Sequence, residues 1–364
     1  MIIGYRRFIL AAIVFIASTP LAVGRVLVEA HRGYSAVAPE NTIASVVAAQ
    51  GIADLTEFDV RPTSDGVLVV MHDGTVNRTT NGTGSVSSLT LAQTKTLDAG
   101  SWFSPAYVGE QVPTMNELMT SAISVGLKPL VERKAGDAQA YHNEFVTMGL
   151  ATTDFSVISF DWNFLSDMDA LDTNYNLGAL GSGTLTQTTI SQIQAQGVDF
   201  LDWNHSTIDQ SVVDLVHANG MELHAWTVDS QARMQQLIDF GIDGITTNQP
   251  ASLHQLVINT PEWADLNGDG MLTNEDWFQY NSGRGVDLKG MSLAEAHAWG
   301  DMDDDFDNDI ADFVRFKNLY IQGRGLNALE NLLSIPEPAS IHSVLCGLLA
   351  VFSYLTCAKR HFGI

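Results

Sequence analysis

Four stretches of this 364-residue sequence end or carry a run of strand-forming residues together with ionisable side chains. His31-Arg32-Gly33 follows the run 26–30, and Glu57 and Asp59 lie two apart within 55–60. His72-Asp73 follows 67–71, while Glu132 and Lys134, again two apart, close 127–132. A spacing of two along a strand puts both side chains on one face. Three carboxylates, Glu57, Asp59 and Glu132, suit a hard divalent cation such as Ca²⁺ or Mg²⁺ rather than zinc. Such a cation, with Arg32 and Lys134, can offset the charge of a phosphate diester and of its transition state. His31 and His72, on different strands, can divide the proton transfers to and from the attacking and leaving oxygens. Phosphodiester hydrolysis is the reaction class this set predicts. Residue types alone leave open which histidine is acid and which base, and whether water or a neighbouring substrate hydroxyl attacks.

Residues so placed need a scaffold that delivers strand ends to one rim. From Arg25 to about Asn259 β-rich runs alternate with helical stretches, the pattern of an α/β fold with a parallel sheet. The strand candidates are 26–30, 55–60, 67–71, 127–132, 155–160, 177–180, 198–203, 222–228 and 242–246. Helical periodicity is clear at 42–50, 115–125, 211–218 and 231–240. This length fits a TIM-type (β/α)8 barrel, whose active sites lie at the C-terminal ends of the strands. Nine candidates compete for eight places, and the link from Val60 to Val67 is too short for a crossover helix. One step must therefore depart from the ideal repeat. Residues 74–111 read as an insertion that could cap the rim.

At these residues the chain resembles the glycerophosphodiester phosphodiesterase family. The matching blocks are HRG at 31–33, PENT at 39–42, ExD at 57–59, TSDG at 63–66, VVMHD at 69–73 and RTTNGTG at 78–84. They continue with LDAGSWF at 97–103, VPTMNE at 112–117, VERK at 131–134, SFD at 159–161, AWTVD at 225–229 and GIDGITTNQP at 241–250. The resemblance implies a barrel, a divalent cation, and hydrolysis of glycerophosphodiesters to glycerol 3-phosphate and an alcohol. It matches His31 and His72 to the acid/base pair, Glu57, Asp59 and Glu132 to metal ligands, and Arg32 and Lys134 to phosphate contacts. Trp226 would line the substrate cleft, and Asp73 would support its neighbour His72. Two departures stand out. Arg133 replaces an isoleucine of the family's Glu-Ile-Lys run and should face away from the site. Asn248 stands where the family usually ends its last strand in Thr-Asp, which argues against a role for it. His142, His205, His217, His254 and His297 read as ordinary structural histidines.

After Pro261 the composition changes. Asp265, Asn267, Asp269, Met271, Thr273 and Asp276 have the spacing of a twelve-residue Ca²⁺ loop. Thirty-six residues on, Asp301, Asp303, Asp305, Asp307, Asp309 and Asp312 repeat it, with Trp277 and Tyr280 echoed by Phe313 and Phe316. Residues 261–335 thus resemble a dockerin-type pair, a small all-α EF-hand-like module, although Phe306 occupies the position of the second turn glycine. That resemblance implies Ca²⁺ in both loops and a cohesin-like scaffold partner, with a Ca²⁺-stapled spacer as the alternative.

Both ends read as addresses. Arg6 and Arg7 precede an apolar run over 8–17 and a small-residue exit at Ala22 and Gly24, so residues 1–24 are expected to be a signal peptide. Residues 336–364 resemble a PEP-CTERM sorting signal: Pro336-Glu337-Pro338, an uncharged stretch over 340–358 long enough for a transmembrane helix, then Lys359, Arg360 and His361. An exosortase-type enzyme would remove it, leaving an exported protein in the envelope or outside the cell. Cys346 and Cys357 both fall in this tail, so no disulfide framework holds the body together. The formal charge of −24 argues against a nucleic acid partner. Thirteen acidic and two basic residues in 265–312 account for much of that charge. Other readings are a barrel acting on lysophospholipids or glycerol-phosphate polymers, and a non-catalytic Ca²⁺-dependent docking or adhesion protein. The full set of seven polar groups disfavours the last.

Overall fold

The computed structural model describes residues 25–333. The expected signal peptide and sorting tail lie outside them. No helix among the described residues is long and apolar enough to cross a membrane.

Nine strands form one sheet: β1 (Leu27–Ala30), β2 (Leu55–Pro62), β3 (Leu68–Val70), β4 (Lys128–Arg133), β5 (Ser156–Ser159), β6 (Leu177–Gly181), β7 (Phe200–Asn204), β8 (Glu222–Trp226) and β9 (Gly244–Thr247). The order β1-β9-β8-β7-β6-β5-β4-β2 closes through a β1–β2 pairing, so eight parallel strands form a barrel. The surplus candidate, 67–71, is β3. It pairs antiparallel with β2, Val60 opposite Val70, so it is the second arm of a hairpin rather than a barrel strand. The hairpin has a local cause. Thr63 Oγ1 binds Asp65 and the Val67 carbonyl, Gly66 takes φ +81°, and the chain reverses within four residues. The return arm carries His72 back towards the rim beside Asp59, whose carbonyl accepts the Met71 N–H.

The barrel interior below the rim is apolar on one side, with Leu55, Leu130, Ile158, Leu180 and Phe200 packed together. Outer helices pack their buried faces on the strands. Met115–Ser124 and Ile43–Ala48 start with capping boxes at Thr114 and Thr42, which satisfy backbone N–H groups left free at a helix start. The segment after β3 has its own small core of Val69, Met71, Val76, Val86, Ala99 and Val112. It rests on the loop after β1 through Tyr107 Oη, which donates to the Val37 carbonyl, and on the helix Ile43–Ala48 through Glu110 Oε1, which accepts the Ala44 N–H.

Beyond the barrel come helices Asn274–Ser282, Leu293–Ala298, Ile310–Arg324 and Leu326–Leu333. The two acidic loops have matching backbones. Gly268 and Gly270 (φ +69° and +75°) correspond to Asp304 and Phe306 (φ +65° and +64°). Asp265 accepts the Gly270 N–H at 2.7 Å, as Asp301 accepts that of Phe306 at 2.9 Å. Asp276 binds the N–H groups of Leu266 and Thr273, as Asp312 binds those of Met302 and Asp309. Trp277, Tyr280, Phe313 and Phe316 stack between the helices. This unit closes the N-terminal end of the barrel. Arg25, just before β1, is held by both oxygens of Asp54 and lies 5.0 Å from the Trp263 ring. Trp263 Nε1 donates to the Met302 carbonyl, His297 Nε2 bonds the Trp263 carbonyl, and His254 Nε2 bonds Asp304.

Candidate active site

The rim is built from the turn after β1. Arg32 (φ +57°), Gly33 (φ +76°) and Asn41 (φ +61°) all take left-handed backbone, and for arginine and asparagine this stores strain where side chains must be aimed. Gly33 is required twice over, because a Cβ there would lie 2.3 Å from Ser45 Oγ. The turn points the Arg32 N–H at Glu57 Oε2 (2.9 Å) and its side chain at Asp59 Oδ2 (Nε, 3.3 Å). His31 Nε2 faces Glu57 Oε2 at 3.9 Å. Inward alternation on β2 and β4 brings Glu57 and Asp59 beside Glu132, with Asp59 directly opposite Glu132 in register. Lys134 Nζ bonds Glu132 Oε1 at 2.7 Å and lies 3.5 Å from Asp59 Oδ1. Arg133 points outward to Asp161, as the alternation requires.

Ligand oxygens of Glu57, Asp59 and Glu132 lie within 4.8 Å of one another, and all three residues are buried. Glu57 Oε1 and Asp59 Oδ1 have no hydrogen-bond partner. Burial and the charges of Asp59 and Glu132 push Glu57 well above the carboxylate range. Glu132 is raised to about 7 by burial and Asp59, against the pull of Lys134. For Asp59, burial is outweighed by Arg32, Lys134 and His72, and its pKa falls. Two oxygens without donors, in a cluster that resists ionising together, fit a bound divalent cation, which would supply the missing positive charge.

The histidines stand in different surroundings. His72 Nδ1 is 2.8 Å from Asp73 Oδ1, and Arg61 clasps the His72 carbonyl through Nε and Nη2. Hydrogen bonds from Arg78 are the largest cause of the low Asp73 pKa. His31 Nδ1 is 2.7 Å from Asn248 Oδ1, and burial with the nearby Arg32 charge lowers its pKa to about 4. Asn248, which the departure from Thr-Asp argued against, is thus in direct contact with His31. The amide oxygen can do what a carboxylate oxygen would, namely accept from the ring.

Several further residues shape the rim. Arg78 grips both Glu40 and Asp73, and Glu40 also binds Arg32 at 2.8 Å. One guanidinium thereby links the supports of His72 and Arg32. Asn41 exchanges two hydrogen bonds with Asp59, through its amide to Oδ2 (2.7 Å) and from the Asp59 N–H (3.1 Å). Glu40, Asn41 and Arg78 fall in the PENT and RTTNGTG blocks, which was the available signal; Arg61 has none. Trp226 is half-buried, donates to the Asp202 carbonyl and packs edge-on against Phe160, 51% exposed, at 5.4 Å. Lys134 Nζ lies 5.9 Å from the same Phe160 ring.

The expected Ca²⁺ loops differ in their groupings. Asp301, Asp303 and Asp312, and likewise Asp305, Asp307 and Asp312, have oxygens within 4.8 Å of one another. In the first loop Asp265 and Asp276 are buried and Asn267 bonds Asp269, while Met271 is 59% exposed. Thr273 and Asp309 serve as helix N-caps, accepting from Glu275 and Ala311 N–H.

The model of the glycerophosphoryl diester phosphodiesterase family matches residues 31–252. A glycerophosphodiester phosphodiesterase of Bacillus subtilis is 34% identical over 259 residues, covering 65% of this chain and 88% of that protein. One from Caldanaerobacter subterraneus is 34% identical over 239 residues, covering 64% and 98%. Among solved structures, an Oleispira antarctica phosphodiesterase in complex with the product sn-glycerol-3-phosphate superposes with a TM-score of 0.60 at 27% identity, covering 64% of this chain and 97% of that one. A glycerophosphodiester phosphodiesterase from Parabacteroides distasonis gives 0.55 at 28% identity, covering 64% and 97%.

Proposed function

The chain belongs to the glycerophosphoryl diester phosphodiesterase family, and from that premise we propose that its barrel is a metal-dependent hydrolase releasing glycerol 3-phosphate and an alcohol from glycerophosphodiesters. The observation that carries the reading is the buried Glu57–Asp59–Glu132 cluster, flanked by two cations and two histidines on one rim. A divalent cation held by the three carboxylates would polarise the phosphoryl group and offset its charge. Arg32 and Lys134 hold the phosphate from either side of Asp59. His31, kept neutral by burial, takes the proton of the attacking oxygen, and His72, backed by the Asp73 carboxylate, gives one to the leaving alcohol. Phe160 and Trp226 offer an apolar edge beside Lys134 for the carbon skeleton, and this exposed aromatic edge favours a second reading in which lysophospholipids are also taken.

The proposal extends to the rest of the chain. The basic and apolar start of the sequence supports export, and the PEP-CTERM-like tail supports exosortase processing and an envelope or extracellular location. The matched backbones of the two acidic loops support Ca²⁺ binding there, with a cohesin-like scaffold as the partner such modules imply.

The test is release of glycerol 3-phosphate from glycerophosphocholine by the purified protein. Release should stop in chelator and return on adding back Ca²⁺ or Mg²⁺. Full turnover in chelator would remove the metal from the mechanism, and no turnover with any glycerophosphodiester would remove the substrate class.

A further inference from the structure

His31 must present a bare nitrogen to take a proton, and the ring alone does not decide which nitrogen that is. The last two strand ends do. Asn248, one residue past β9, stands between His31 and Asp229, three residues past β8. Its Oδ1 lies 2.7 Å from His31 Nδ1 and accepts from Ser35 Oγ at 2.8 Å. Its Nδ2 donates to Asp229 Oδ2 at 2.7 Å, and its backbone N–H to Asp229 Oδ1 at 2.9 Å. Thr247 Oγ1 donates to the same Oδ1 at 3.1 Å.

A carboxylate only accepts, so the Asn248 amide can meet Asp229 only with its NH₂. Turned over, it would set two oxygens 2.7 Å apart with no proton between them. Ser35, whose hydroxyl both donates and accepts, permits either orientation, so Asp229 sets it. With Oδ1 directed at His31, the shared proton must be on Nδ1. Nε2, the nitrogen on the Glu57 side of the ring, is then the bare one.

We propose that Asp229 and Asn248 are a positioning pair that locks His31 in the Nδ1–H tautomer and so aims its free lone pair at the reaction centre. The inference rests on the reading of His31 as the proton acceptor. Both residues act through His31, and Asp229 lies exposed at the rim, bonded there by Thr247 and Asn248. The carboxylate acts through an amide that transmits direction but not charge.

The test combines kinetics with nitrogen chemical shifts on the full protein. In ¹⁵N-labelled wild type, His31 should show a protonated Nδ1 and a bare Nε2. Asp229→Ala frees the amide to turn and should give a mixture of tautomers, with kcat for glycerophosphocholine down about ten- to a hundredfold at unchanged KM. Asp229→Asn keeps an acceptor oxygen for the Asn248 NH₂ and should recover most of the loss. Asn248→Leu, a second route should Asp229→Ala fail to fold, should match the alanine variant. If Asp229→Ala and Asn248→Leu keep the wild-type tautomer and kcat while His31→Ala is inactive, the pair has no positioning role and the reading of His31 stands. If His31→Ala itself turns over normally, the reading falls.

Discussion

At the C-terminal rim of the barrel, Glu57 Oε1 and Asp59 Oδ1 are buried without a hydrogen-bond partner, and left-handed backbone at Arg32 and Asn41 holds the turn that aims groups at them. At the opposite end Arg25 is half-buried, and both oxygens of Asp54 and the face of Trp263 engage it. Trp263 in turn spends its N–H on Met302 and its carbonyl on His297. The two ends contain similar residue types. They differ in how fully the charges are answered from within the chain, since at the rim Arg32 and Lys134 are two cations against three clustered carboxylates. Where they are answered, the groups fasten one part of the protein to another. Where they are not, a cation and an anionic substrate have something to answer. Damage to the rim should therefore cost turnover and little stability, and damage to the base the reverse.

The largest separation is expected from the histidines of the rim. His31→Ala and His72→Ala should each lower kcat for glycerophosphocholine about 10²- to 10⁴-fold, with unfolding free energy within about 1 kcal/mol of wild type. Steady-state kinetics and urea melts on the same preparations measure both. A variant that loses stability in step with activity would make the rim a structural feature like the base. The mirror experiment is Trp263→Ala. Trp263 is 2% exposed, and its removal deletes a large buried ring, the Nε1 hydrogen bond to the Met302 carbonyl and the cover over Arg25. A loss of about 3–5 kcal/mol is expected, with kcat per folded molecule unchanged at 25 °C. Equal losses in kcat would mean that the two ends communicate.

This contrast also explains what could be read in advance. The rim was legible because its residues sit at strand ends with a period of two, so local spacing encodes a shared face. Even so, the strand that carries His72 turned out to be a hairpin arm, since a four-residue turn makes a return strand look like the next barrel strand. Asn248 departs from the Thr-Asp that ends the family's last strand, which argues against a role for it, whereas its task needs only an oxygen. The base was illegible for a different reason. Arg25 and Trp263 are 238 positions apart, and neither lies in a pattern that points to the other. His254 and His297 read as ordinary structural histidines, and the structure uses both in that way, as fasteners between the barrel and the helices that follow.

The smallest effect tests whether the base is as closed as it looks. His297 is 4% exposed, with Nε2 on the Trp263 carbonyl, and it faces Arg25, Asp304 and Asp54. Burial and then the Arg25 charge lower its pKa from 6.5 to about 4. The neutral ring is thus the one that fits, and between pH 4 and 6.5 the unfolded chain binds a proton that the folded one refuses. By linkage, stability rises with pH across that window, is complete above about 6.5, and is lost as pH falls towards 4, by about 3 kcal/mol in all. Acidic groups in the loops and His31 also titrate there, so the quantity to measure is the difference between wild type and His297→Gln, in which they cancel. Glutamine keeps a donor for the Trp263 carbonyl and cannot take up the proton. Urea melts from pH 7.5 to 4 should show wild type losing more stability than the variant as pH falls. A difference that stays flat would mean that water reaches His297, and that the base leaves charge unanswered as the rim does.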